Sequence, residues 1–353
     1  MSELYQSVID TDIHNTIPSL KTLYPYLQDF WRDYLEESAF VGPDAHDYPA
    51  GLPFSARADS KSSDGPPGSQ MELVRSNTID AWKAEIGILT CNYWTTSIHH
   101  EDFALALSSA INDWQIDAFL NPEPRFRASL VVPGQNPELA AQEIDRLGGH
   151  PGFVQVIVPV RSHTLYGKRH FDPLYEAAVR NNLVVGIHYG GASGHPPTPT
   201  GWPVSFLEEY TGMTQLFQSQ LLSLITEGAF NRHPDLKVSF IEGGFTWIPS
   251  FIWRMDKEWK GLRHELPWLT EPPSAYIHRH LRFTTQPMGA PPDPVHMSQI
   301  LDQMGSTDLL MFATDYPHHH FDSPREALIK GIEEPLLGKI MAENARNWYA
   351  LPN

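Results

Sequence analysis

Four apolar runs far apart in this chain end in side chains that can ligate a metal or carry a proton. Asp12 and His14 close Val8-Ile9-Asp10-Thr11-Asp12-Ile13-His14, and His188 closes Leu183-Val184-Val185-Gly186-Ile187-His188. Glu242 follows Ser239-Phe240-Ile241, and Asp315 follows Met311-Phe312-Ala313-Thr314. Side chains alternate along a strand, so Asp12 and His14 share a face, with Asp10 in phase. Taken alone, each end also reads as a turn or as a hydrogen-bonded core histidine. Together, two imidazoles and two or three carboxylates form a mixed nitrogen and oxygen set suited to zinc, manganese or ferrous iron.

Such a set works only if the fold brings the four ends to one place. Eight apolar segments read as strands, starting near residues 8, 86, 127, 153, 183, 237, 281 and 309. Helical patterns lie between them, among them 71–84, 103–119, 137–147, 171–181, 215–230, 246–259 and 294–304, with a closing helix through Trp348. Strands with no polar face are buried on both sides, as in a parallel sheet. Eight strand–helix units favour a closed (β/α)8 barrel, read as one domain over residues 1–353. No G-x-G-x-x-G follows a strand to support a dinucleotide fold. In a barrel, the strand ends crowd round one mouth, where barrel active sites lie. Two stretches rich in Pro, Gly and Ser, about 41–69 and 190–203, read as loop insertions on that face.

Composition narrows the function further. The formal charge is −17 over 353 residues, which argues against nucleic acid, since phosphate binding needs clustered Lys and Arg. No run approaches the roughly 18 apolar residues that span a bilayer, and no basic-flanked apolar leader is present. No membrane partner and a cytoplasmic location are therefore expected. The single cysteine, Cys91, lies in an apolar run and reads as a buried hydrophobe, which excludes an intramolecular disulfide and a cysteine-built zinc site.

The motifs resemble one family. Asp-x-His on the first strand, His188 on the fifth, Glu242-Gly-Gly-Phe-Thr-Trp after the sixth and Thr314-Asp-Tyr-Pro-His on the eighth are similar to the amidohydrolase superfamily. The branch matched best is the amidohydrolase-related one that includes aminocarboxymuconate semialdehyde and resorcylate decarboxylases. The closing Glu343-Asn-Ala-Arg-Asn-Trp-Tyr resembles that branch's last helix. The resemblance implies one divalent ion held by Asp12, His14, His188 and Asp315, with zinc in first place and manganese or iron as alternatives. Glu242 stands where the well-studied decarboxylases carry a histidine thought to move protons. A glutamate has a lower intrinsic pKa, so it would need burial or a nearby anion to donate a proton near neutrality. Hydrolysis is on that ground the first expectation: a metal-activated water attacks a small aromatic or cyclic carbonyl substrate, and Asp315 or Glu242 takes its proton. Non-oxidative decarboxylation of a hydroxy-aromatic acid is the alternative, with Asp315 as proton carrier and Glu242 assisting. A barrel that has lost its chemistry and only binds is the alternative from another class.

Further pocket candidates are Arg161 as a carboxylate clamp, Gln286, Tyr189, Trp247 and His318. Trp94 and Trp202 join Trp247 as possible walls of an aromatic site. Of the run His318-His319-His320, only His318 is expected to face the pocket. The expected partners are a small-molecule substrate and a second copy of the chain, as a homodimer.

Overall fold

Runs such as Val184-Val185-Gly186-Ile187 need cover on both faces, and the chain supplies it by returning a helix after each strand. The structure is a computed structural model that describes residues 7–43, 55–63, 65–191, 194, 196, 198, 200–320 and 332–352. Much of the insertion at 41–69 and part of that at 190–203 lie outside the described residues. The strands are β1 (Ile9–Ile13), β2 (Ile86–Leu89), β3 (Phe126–Val131) and β4 (Phe153–Pro159), then β5 (Val184–His188), β6 (Val238–Ile241), β7 (Leu281–Thr284) and β8 (Leu310–Met311). They form one sheet in sequence order, each parallel to the next. Thr11 N–H donates to the Phe312 carbonyl at 3.0 Å and Ile13 bridges to Tyr316 in parallel, joining β8 back to β1. The fold is the (β/α)8 barrel that the alternating pattern predicts.

The end of the barrel opposite the mouth is closed by the chain's own C-terminus. Trp348, Tyr349 and Leu351 pack with Ile9, Ile86, Ile88, Val184 and Met311. The polar atoms in this floor are paired, as buried groups must be. The Tyr349 hydroxyl donates to Gln155 Oε1 at 2.8 Å, Gln155 Nε2 donates to Ser129 Oγ at 2.8 Å, and the Trp348 indole donates to Ser239 Oγ at 3.0 Å. Trp348→Ala should therefore lower the unfolding free energy by about 3–5 kcal/mol, the usual loss for a large buried aromatic. Trp202, 51 % exposed, is the control: its alanine variant should stay within about 0.5 kcal/mol. Urea unfolding midpoints compare the two.

The pattern reading departs from the structure in the connections. The helix expected over 215–230 is Thr214–Thr226 and Ala229–Arg232, split where Gly228 adopts a left-handed backbone (φ 73°). The helix Pro273–His280 precedes β7, and the helix Phe206–Gly212 stands between the second insertion and residue 214; neither is apparent from apolar periodicity. The shorter of the two matters for the site. Its cap is the Ser205 hydroxyl, which accepts from Glu208 N–H at 3.2 Å, the S-x-x-E signature of a helix start. At the first insertion, Arg57 N–H donates to the Pro317 carbonyl at 2.8 Å and His319 N–H to the Ser55 carbonyl at 2.7 Å, so this segment braces the loop after β8.

Candidate metal centre

Two of the strand ends are held in backbone conformations that their residue types disfavour. Glu242 has φ 60° and Asp315 φ 55°, a left-handed region that costs a non-glycine residue on the order of 1–3 kcal/mol. Each is held by its neighbours. Glu242 N–H donates to Thr284 Oγ1 at 3.1 Å. Asp315 N–H donates to the Asp12 carbonyl at 3.1 Å, and the preceding Thr314 is clamped by Asp10. That clamp consists of Thr314 N–H to Asp10 Oδ1 at 2.9 Å and Thr314 Oγ1 to Asp10 Oδ2 at 2.6 Å. Opposite, the β1–β2 register shifts between Asp10 and Ile13, an irregularity of the kind that re-aims side chains beside functional sites.

The side chains so aimed converge. One donor atom from each of Asp12, His14 and His188 lies within 4.8 Å of the others, and the same holds for His14, Glu242, Asp315 and His318. His14 belongs to both sets, so the two form one centre. Asp12 and His188 are fully buried, and Glu242 and His14 nearly so. His188 Nε2 stands 3.4 Å from Asp12 Oδ1 and 3.6 Å from Glu242 Oε2, and His14 Nε2 stands 3.9 Å from Asp12 Oδ1. Contacts to Asp315 are shorter: 2.7 Å from His14 Nε2 and 3.1 Å from His318 Nδ1 to Oδ1, and 2.5 Å from His320 Nε2 to Oδ2. Thr90, just past β2, serves two residues at once. Its hydroxyl donates to Asp12 Oδ1 at 2.5 Å, and its carbonyl lies 3.2 Å from His14 Nδ1.

The electrostatics follow from crowding carboxylates and imidazoles away from water. Burial opposes charge on His188, but the Asp12 carboxylate, the Glu242 charge and the Tyr189 carbonyl together outweigh it and lift the imidazole to about 9. Burial likewise opposes charge on His318, and the Asp315, Glu242 and Asp12 carboxylates together override it, raising His318 to about 10. Burial alone would push Asp315 up; the His318 charge and the hydrogen bonds from His14, His318 and His320 hold it well below the usual carboxylate range. Glu242 moves the other way, raised by burial and then by the nearby Asp315 charge. Burial raises the Asp10 carboxyl to about 7 against the pull of its Thr314 hydrogen bonds.

Two buried oxygens complete the description. Asp12 Oδ2 and Glu242 Oε2 have no hydrogen-bond partner, and leaving such an acceptor unmatched costs about 1–3 kcal/mol or more for a charged group. Carboxylate oxygens and imidazole nitrogens facing one point, with acceptors left over, fit a divalent cation, and the oxygen-rich mixture suits manganese or iron as well as zinc.

The remaining sequence candidates lie just past the C-terminal ends of their strands. The Tyr189 ring meets Tyr210 edge-on at 5.0 Å, and its carbonyl lies 2.8 Å from His188 Nδ1. The buried Gln286 sits past β7, where its carbonyl accepts from the Thr284 hydroxyl at 3.3 Å. Arg161 is buried against Glu209 of the Phe206–Gly212 helix at 3.5 Å. The Trp247 indole donates to the Gly243 and Gly244 carbonyls, each at 3.1 Å, and so braces the loop after β6. Trp94 lies 6.0 Å from the His188 ring. His318 reaches the centre as expected, but it is not alone. His320 also folds onto Asp315, contrary to the expectation for adjacent histidines, because the left-handed turn at Asp315 brings the chain back over it. Tyr210 was not singled out from the sequence; its hydroxyl donates to Glu242 Oε1 at 2.8 Å. The Ser205–Glu208 capping signature is the one signal that places it on a helix.

Comparison with known proteins places the whole barrel in a family. The family profile described as amidohydrolase matches residues 9–351. Among curated proteins, γ-resorcylate decarboxylase of Rhodococcus jostii is 25 % identical over 274 residues, covering 72 % of this chain and 79 % of that enzyme. Among solved structures, 5-carboxyvanillate decarboxylase of Novosphingobium aromaticivorans, complexed with manganese and 4-hydroxy-3-methoxy-5-nitrobenzoic acid, superposes with a TM-score of 0.71 at 18 % identity, covering 99 % of this chain and 98 % of that one. The dihydroxybenzoic acid decarboxylase of a Polaromonas species, with bound manganese and 2-nitroresorcinol, gives 0.67 at 20 % identity, covering 98 % and 97 %.

Proposed function

This chain belongs to the amidohydrolase family, and on that premise we propose that it is a metal-dependent carboxy-lyase that removes carbon dioxide from a small hydroxy-aromatic acid. The observation that carries decarboxylation over hydrolysis is the kinship along most of the chain with γ-resorcylate decarboxylase. This reading replaces hydrolysis as first choice. Manganese replaces zinc, because it is the ion named in the related solved structures.

Asp12, His14, His188 and Asp315 would hold the ion. When bound, it supplies a positive charge that orients the substrate carboxylate and adjacent hydroxyl and stabilises developing negative charge. The chain's own residues do the rest. Decarboxylation breaks the ring-to-carboxyl bond, releases carbon dioxide and needs one proton at the vacated ring carbon. Asp315, kept ionised by its imidazole partners, relays that proton: His318 or His320, hydrogen-bonded to its two oxygens, gives it up through the carboxylate to the ring carbon and recovers it from water. The Trp94 ring, 6.0 Å from that of His188, offers an aromatic surface against which a substrate ring would pack.

The test offers the manganese-loaded protein a panel of hydroxybenzoates, including 2,6-dihydroxybenzoate and 5-carboxyvanillate, and follows carbon dioxide and phenol together. Equal amounts of both are expected from at least one acid. If lactones or amides yield a new carboxylate while every hydroxybenzoate is recovered intact, hydrolysis returns as the reading.

A further inference from the structure

The three carboxylates of the centre are treated differently by their surroundings. Asp315 has an imidazole at hydrogen-bond distance on each oxygen. Asp12 and Glu242 each have one oxygen bound by a hydroxyl and the other left bare. Thr90 binds Asp12 Oδ1 and leaves Oδ2; Tyr210 binds Glu242 Oε1 and leaves Oε2. Glu242 is 3 % exposed, so that oxygen is shut off from bulk solvent. His188 Nε2 stands 3.6 Å from Oε2, too far for a hydrogen bond. It is, however, a natural spacing for two donors facing one small cation, whose ligands stand about 2.0–2.2 Å from it.

We propose that Glu242 is a direct ligand of the divalent ion through Oε2, and that Tyr210 is the positioning residue that holds it in that pose. The assignment adds a ligand to the four that family resemblance supplies, and it gives Glu242 a task other than proton transfer. The backbone agrees: the left-handed conformation at Glu242 is kept by the Thr284 hydroxyl on its N–H, so the carboxylate has little freedom to turn away. Tyr210 comes from the helix anchored by the Arg161–Glu209 pair, so one more strand end is tied to the ligand shell. A third carboxylate also makes the set richer in oxygen, which favours manganese or ferrous iron over zinc.

The inference rests on the metal-dependent reading above and not on which reaction the ion serves, so binding is measured without substrate. Metal-free full-length protein is titrated with manganese, and free ion is followed by its electron paramagnetic resonance signal. Glu242→Gln should weaken binding at least ~100-fold, and Tyr210→Phe about 10–100-fold, the usual range for a group that orients a ligand. Because Tyr210 acts through Glu242, adding Tyr210→Phe to Glu242→Gln should change affinity by less than about twofold more. A structural role for Tyr210 would instead add its full effect in the double variant, and that result overturns its assignment. Parental affinity in a folded Glu242→Gln variant overturns the ligand assignment. If the amide variant does not fold, Glu242→Asp decides in its place: it keeps the charge but withdraws the oxygen, so weakened binding supports the proposal and unchanged binding refutes it. A parent that binds no manganese removes the metal reading itself, and this proposal with it.

Discussion

Asp315→Asn is expected to abolish turnover, with a loss in kcat of about 10²–10⁴-fold or more, the span associated with removing a positioned acid or base. The amide keeps the shape but accepts no proton, and it places an NH2 where one oxygen now meets an imidazole. His14 and His318 share Oδ1 while His320 occupies Oδ2, so whichever way the amide turns, a hydrogen bond is lost. Since Asp315 is also a proposed ligand, the assay should be run at saturating manganese so that weak binding is not read as slow chemistry. Normal turnover in this variant would refute decarboxylation and hydrolysis alike, because both need a proton carrier at this position.

The second large effect concerns the ion. Purified parent protein should retain close to one divalent ion per chain after dialysis, and the Asp12→Ala/His188→Ala variant less than about a tenth of that. Asp12 and His188 come from opposite sides of the barrel and meet at 3.4 Å. Removing both takes away a charge and a nitrogen donor together, and metal affinity depends steeply on the deprotonated ligands available. Elemental analysis reads the outcome. If the parent holds no metal even after reconstitution, the ligand carry-over fails, and a barrel that only binds small molecules becomes the leading account.

Much of this site was legible in the sequence because strand alternation and strand ends are local. Asp12 and His14 follow from period two, and His188, Glu242 and Asp315 from polar residues that stop apolar runs. Those rules also gave the eight strands, to within a few residues at their ends. What was not legible depends on backbone turns that residue type does not announce. Asp315 and Glu242 take left-handed conformations without being glycine, and it is the turn at Asp315 that brings His320 onto the same carboxylate as His318. Tyr210 sits on a helix of seven residues, too short for periodicity to reveal and marked only by its serine cap. Thr90 reads in the sequence as one more residue of the apolar run through Cys91, yet β2 ends before it and its hydroxyl and carbonyl face Asp12 and His14, two of the proposed ligands. Glu242, as a substitute for histidine, tips the sequence reading toward hydrolysis. With a ligand role proposed for that residue, and with the kinship to γ-resorcylate decarboxylase, the proposed reaction is decarboxylation.

The most direct measurement of the central claim is decarboxylation in deuterium oxide with a carboxyl-labelled hydroxybenzoate and the manganese-loaded protein. The account predicts labelled carbon dioxide and a phenol carrying one deuterium at the vacated ring position, both lost on chelation and in Asp315→Asn. Labelled acid recovered unchanged across the hydroxybenzoate panel, with the manganese site shown to be filled, would contradict it.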